Sequence, residues 1–304
     1  MKSAKILHHY RVDDPDGFRL AGLDCADTGG LDKDAAHAML AADVKRLSVL
    51  QERLYAQGQW AVLIVLQGMD AAGKDSIVAH VMSGVNPQGC GVHSFKAPSV
   101  EELDHDFLWR ANMWLPARGR IGIFNRSHYE DVLVVRVHPE ILHRQKLPKG
   151  LIGEQIWNER FQDIRAFEHH LARSGILVLK FFLHVSKEEQ RRRFLDRLEE
   201  PAKRWKFSMN DIKERGRWDD YMAAYQDMLR ATSRPHAPWY VVPADHKWFA
   251  RLVVASAVIK ALDGLELDFP KIEGAALEEM QKVRKALLAE APRHGRRKAR
   301  SAKP

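Results

Sequence analysis

Apolar positions along the chain follow two rhythms. Over residues 31–58, "LDKDAAHAMLAADVKRLSVLQERLYAQG", they recur at helical spacing, and the glycine at position 58 closes the run, which predicts one long helix. "WAVLIVLQ" then follows as an unbroken apolar run of strand length. A run without polar alternation fits a strand covered on both faces, as in a parallel sheet. Similar runs recur at "VHSFKA", "RIGIFN", "GILVLKFFLHV", the longest, and "PWYVVPA", with helical patterns between them. Five such strands alternating with helices predict an α/β fold, a doubly wound parallel sheet flanked by helices. Ligands in these sheets bind beyond the carboxyl ends of the strands, so the loops after Gln67, Asn125 and Val185 are expected to meet at one edge.

Three stretches depart from this alternation. Residues 1–30 mix Asp, Gly and His without periodicity and are expected to form an irregular arm before a domain spanning 31–270. Between the last two strands lies a long, charged, helical stretch beginning "RRRFLDRLEEPAKRWKF", expected to act as a lid at about 190–230. Residues 271–304 are expected to hold a C-terminal helix and a basic tail, "RHGRRKARSAKP", whose low complexity predicts disorder.

The run "WAVLIVLQ" ends in "GMDAAGKDSI". Gly68, Gly73 and Lys74 fit the phosphate-binding loop G-x-x-x-x-G-K-[ST], in its expected context between a strand and a helix. The glycines let the backbone of Gly68, Ala71, Ala72 and Gly73 curl, so that its N–H groups point at phosphate oxygens, and Lys74 adds a mobile cation. Asp75 stands where the pattern has a hydroxyl, with Ser76 one place later as a displaced substitute. A carboxylate beside phosphates is repelled unless a cation lies between them, which makes Asp70 a candidate Mg²⁺ ligand. Asp75 opens the following helix, where a capping role and a metal role are both open. "RIGIFNRSHYEDV" has the character of a second nucleotide-site strand, but the run ends in Asn125 rather than an acid. Arg126 at the strand end suits bidentate phosphate recognition. Glu130 and Asp131 are the nearest acids, and His128 is read as a packing residue.

These pieces, "GMDAAGKD", "GVNPQGCGVHSFKAPS", "FNRSHYEDV" and the Arg/Lys-rich segment from "RRRF", together resemble the polyphosphate kinase 2 family. The resemblance implies a P-loop kinase core with a helical lid, Mg²⁺ (or Mn²⁺ in its place) as cofactor, inorganic polyphosphate and nucleotides as substrates, and a homo-oligomer, dimer or tetramer. It implies that Asp70 organises metal and phosphate, that Lys74 is the Walker-A lysine and that Arg126 is the Walker-B arginine. Asn125, where family members often have Asp, moves the search for a further metal ligand to Asp131 and Glu130. The catalytic set expected is thus Asp70, Lys74, Arg126 and Asp131. Asn125 and the segment "NPQGC" point to acceptance of AMP, ADP or both, with GDP as a further candidate. The nucleotide is expected against Asn86, Gln88, Phe95, Asn125 and Glu130.

Composition narrows the partner. The 304 residues hold 48 Lys+Arg against 40 Asp+Glu, a formal charge of +8, which suits an anionic ligand without naming it. In the lid, Arg193 and Arg197 lie one helical turn apart, with Lys203 and Lys206 beyond, a row of cations suited to a chain of phosphates. Two cysteines cannot make a disulfide framework and fit a reducing cytoplasm. The first residues lack the apolar core of a signal peptide, and no apolar run reaches the length of a membrane helix, so no membrane partner is expected. Two rival readings follow from the same residues. One is an ATP-dependent nucleoside monophosphate kinase, which would share loop, sheet and lid. The other is a nucleic-acid-binding protein with a vestigial loop, motivated by the basic tail and ranked below the kinases because a whole phosphate site is present.

Overall fold

The structure is a computed structural model that describes residues 7–290; the basic tail, with its expected disorder, lies outside the described residues. Numbering helices of eight residues or more, the order is α1 (Lys33–Gln57), β1 (Ala61–Gln67), α2 (Lys74–Val81), β2 (Cys90–Ser94), β3 (Ile121–Asn125), α3 (Ile156–Arg173), β4 (Ile176–His184), α4 (Lys187–Glu199), α5 (Met209–Gly216), α6 (Trp218–Thr232), β5 (Trp239–Pro243), α7 (Lys247–Asp263) and α8 (Ala275–Ala289). The five strands form one parallel sheet in the order β2-β3-β1-β4-β5. All seven residues of β1 are buried, as its unbroken apolar run requires. Each large aliphatic side chain so covered contributes about 1.5–3 kcal/mol. Asp32 caps α1 by accepting the Ala35 N–H at 2.8 Å, and Gly58 ends it in the left-handed region at φ 63°.

β3 and β4 flank β1, so the chain reverses its direction of winding there and opens a crevice beyond the strand ends. Below that crevice lies a buried polar knot. Lys180 of β4, wholly buried, donates to Glu168 of α3 at 2.6 Å, to the Tyr129 hydroxyl at 2.9 Å and to the Thr232 carbonyl at 2.9 Å. Tyr129 in turn donates to Glu168 at 2.7 Å. A buried ammonium is tolerated only with such partners, and these fix the segment after β3 against α3.

The chain divides into two compact units, residues 1–268 and 269–304. In the first, the N-terminal arm is more ordered than its sequence suggests: Leu7, Tyr10, Val12 and Leu20 are buried, and Val12 N–H donates to Trp239 O at 2.9 Å. The arm thereby covers β5, an edge strand whose free backbone groups would otherwise be exposed. The lid is shorter than expected. α6 carries Tyr221, Tyr225, Met228 and Leu229 into the core, leaving the stretch between about 195 and 216 as the exposed part. The second unit holds α8, whose described side chains are exposed. Among the described residues no helix is long and apolar enough to cross a membrane.

Candidate active site

β1 delivers the chain to Gly68 (φ 152°), where a Cβ would come within 2.9 Å of the Leu183 carbonyl of β4. Only glycine allows the loop to leave the sheet this close to its neighbour. Ala71 at φ 63° and Gly73 at φ 113° complete the curl, and α2 begins at Lys74 with its N-terminus toward the concavity. Just after β3, Arg126 also takes the left-handed region, φ 61°, while its N–H is held by Leu66 O at 3.0 Å. Two non-glycine residues at positive φ on one loop edge are strain of the kind that functional sites retain.

Lys74 is buried, and its Nζ donates to Gly68 O at 2.7 Å and Met69 O at 3.2 Å. Burial pushes its pKa down to about 8; the Arg126 charge adds to this, and Asp70, Glu130 and Asp75 oppose it. Arg126 is bonded to Asp70 and reaches Glu130 at 3.4 Å. Asn125 donates to Asp75 Oδ1 at 2.8 Å, and Lys206 of the lid lies 3.7 Å from the other oxygen. Asp75 is therefore not the cap of α2, a place taken by Gly73, but a first-turn carboxylate tying the loop to β3 and lid. The Ser76 hydroxyl accepts from Arg251 of α7 at 2.8 Å.

Two cavities open at this edge. One, of about 430 Å³, is walled by the loop, α2 and the lid; eight Lys and Arg side chains, Lys74, Arg126, Arg193, Arg197, Lys203 and Lys206 among them, face three carboxylates. Asp70 and Lys74 both line it. The other, of about 490 Å³, is walled by Phe95, Leu103, Val134, Val135, Ile141, Tyr221 and Tyr225, with Glu130, Asp131 and Arg110 among the polar groups. Asp70, Phe95, Lys96 and Arg126 wall both.

Several sequence expectations need correction. Arg193 is not a free phosphate ligand: it is 4 % exposed, and Ala71 O, Ala72 O, Ala244 O, Asp245 O and Glu189 take all five of its N–H donors. It clamps the loop to the end of β5. Asn86 and Gln88 are not near the crevice. They precede β2 in a parallel sheet, and so sit at the opposite edge, beside Gln51 of α1. Asp131 is already engaged: its Oδ1 accepts from Gln145 and from Arg160 at 3.4 Å, and burial raises its pKa. Asp70, Glu130 and Asp131 all wall the second cavity, but among the described residues no group of three His, Cys, Asp or Glu side chains is arranged to hold a metal ion. His128 has both ring nitrogens buried without partners and its pKa pushed down to about 3 by burial, with Lys180 and Arg110 adding to the shift. It is neutral and lines neither cavity.

Arg197 pairs with Asp211 of α5 at 3.1 Å and Lys203 with Glu200 at 2.5 Å, both at the cationic cavity. Phe95, Asn125 and Glu130 do reach the crevice. Lys96 and Lys247, absent from the expected set, also wall the cationic cavity. Lys96 lies at the carboxyl end of a predicted strand and Lys247 shortly after one, a signal close to the one that singled out Arg126. Arg251 carries no comparable signal.

A glycine-curled loop after the first strand of a parallel sheet, a lysine at the start of the next helix and a cationic helical lid define a P-loop kinase. The chain belongs to the polyphosphate kinase 2 family: the family model described as "Polyphosphate kinase 2" matches residues 30–270. It is 51% identical over 257 residues to the ADP-polyphosphate phosphotransferase of Rhodopseudomonas palustris, covering 84% of this chain and 89% of that protein. It is 47% identical over 273 residues to the AMP/ADP-polyphosphate phosphotransferase of Meiothermus ruber, covering 89% and 98%. The crystal structure of polyphosphate kinase 2 from Arthrobacter aurescens superposes with a TM-score of 0.83 at 42% identity, over 93% of this chain and 96% of that one.

Proposed function

We propose that this chain transfers the terminal phosphoryl group of inorganic polyphosphate to ADP or AMP by direct in-line displacement. One observation carries the reading: a cationic cavity and an aromatic-aliphatic cavity share a wall containing Asp70 and Arg126. A donor without a base needs only spaced cations, which the first cavity offers through Lys74, Arg197, Lys203 and Lys206. An acceptor with a base needs an apolar slot, which Phe95, Val134, Val135 and Tyr221 offer in the second.

In the transfer, an oxygen of the acceptor's terminal phosphate forms a bond to the end phosphorus of the chain. The bridging P–O bond breaks, and its electron pair leaves on the shortened polyphosphate. The attacking oxygen is already ionised, so no general base is required. Lys74 and Arg126 hold the charge of the group in flight, and the lid excludes water. Asp70 fits a divalent cation as one carboxylate beside phosphate oxygens, the way Mg²⁺ is usually held; when bound, Mg²⁺ would offset phosphate charge. Asp131 does not fit that role. The two cysteines, both unpaired, suit the cytoplasm; homo-oligomerisation rests on the family resemblance.

The test supplies polyphosphate with ADP, AMP or GDP and no other phosphate donor. Formation of the next higher nucleotide is expected, with turnover lowered by orders of magnitude in Lys74→Ala while the fold is kept. Strict dependence on ATP as donor would overturn the proposal in favour of a nucleoside monophosphate kinase.

A further inference from the structure

We propose that Lys96 is a catalytic cation of the transfer step, its ammonium touching the phosphoryl group as it passes from one cavity to the other. The inference rests on the reading above and adds a residue that neither the loop motif nor the strand-end arginine supplies.

Of the four residues that wall both cavities, Phe95 is apolar, and Asp70 and Arg126 are bonded to each other. Arg126 is further engaged by Glu130. Lys74, which walls the cationic cavity beside this seam, has its charge offset by Asp70, Glu130 and Asp75. The carboxylates there therefore already offset both cations before any substrate arrives. A phosphoryl group in flight spreads negative charge over three equatorial oxygens, and a balanced wall gives it little net attraction.

Lys96 changes that balance. Its backbone is held on both sides: Phe95 N–H donates to Asn125 O at 3.0 Å, and the Lys96 carbonyl accepts from Arg110 Nη1 at 3.0 Å. Phe95 itself is buried against Phe124, with the Arg110 guanidinium 5.1 Å from its ring centre. The Lys96 side chain is exposed and makes no hydrogen bond or ion pair among the described residues. By contrast Arg197, Lys203 and Lys206 each face a carboxylate. Lys247 also makes no ion pair among the described residues, but it walls only the cationic cavity. Lys96 is thus an anchored backbone carrying an uncommitted ammonium on a flexible stem, at the boundary the phosphorus must cross. No proton moves in the step.

The experiment measures steady-state transfer in both directions, polyphosphate to ADP and ATP to polyphosphate, for wild type, Lys96→Met and Lys96→Arg. With the wild type active, Lys96→Met is expected to lower kcat about 100-fold in both directions. The KM values should move less than kcat, melting should be unchanged, and Lys96→Arg should recover part of the rate. A fall in kcat below tenfold, or a loss carried mainly by the KM of one substrate, overturns the role of Lys96 and leaves the phosphotransferase reading standing. A wild type without transfer in either direction overturns both.

Discussion

Replacing Arg193 with Met separates two roles that the sequence cannot tell apart. Spacing along the lid makes Arg193 a phosphate ligand, whereas its surroundings make it a clamp. Its five donors join two carbonyls of the phosphate loop, two at the end of β5 and the Glu189 carboxylate at 2.7 Å. Methionine fills similar space but leaves all four carbonyls without this donor. Removing one partner of a buried ion pair costs about 3–5 kcal/mol. Glu189 keeps a second partner, Arg192, at 2.7 Å, which argues for the lower part of that range, roughly 3–4 kcal/mol. At about 2–4 °C per kcal/mol for a domain of this order of size, melting should fall by roughly 6–16 °C. The assay is a thermal melt followed by circular dichroism at one scan rate, read beside the KM for polyphosphate. Since the clamp also sets the loop's curl, turnover should fall as well. Unchanged melting together with a raised polyphosphate KM would refute the argument and return Arg193 to the role its spacing suggests.

Three further outcomes are expected. With Lys74 at about 8 in the free protein, its charge is lost as pH rises through that value; kcat/KM, which reports free-enzyme groups, should fall above about pH 8. An activity profile flat to pH 9.5 would contradict this. Asn125→Asp replaces a 2.8 Å hydrogen bond to Asp75 by a like-charge contact and should cost about 1–2 kcal/mol in a metal-free melt, mostly recovered by adding Asp75→Asn; a double variant no more stable than the single would argue against the contact. Asn86→Ala and Gln88→Ala should leave the KM for nucleotide unchanged, because both lie at the far edge of the sheet; a severalfold rise would place the acceptor elsewhere than the crevice.

Much of the fold was written in local pattern. Runs with little polar alternation marked β1, β3, β4 and β5, because a strand covered on both faces has no polar side to display, whereas β2, at the sheet edge, is largely exposed. The phosphate loop was equally legible, since its glycines answer a backbone demand that Gly68 meets within a few residues of chain. The far-edge position of Asn86 and Gln88 was also available in principle: whatever precedes a strand in a parallel sheet lies opposite the ligand edge. Turn composition masked that order. What the sequence could not decide was which charges are already spent. Arg193 and Arg197 look alike on a helical wheel, yet one is buried against four carbonyls and the other faces a cavity and a lid carboxylate. Asp131 and Glu130 are neighbours in the chain, yet one turns to Arg160 and the other to Arg126. Partners supplied by distant segments settle those roles, and their distances exist only once the sheet has brought the segments together.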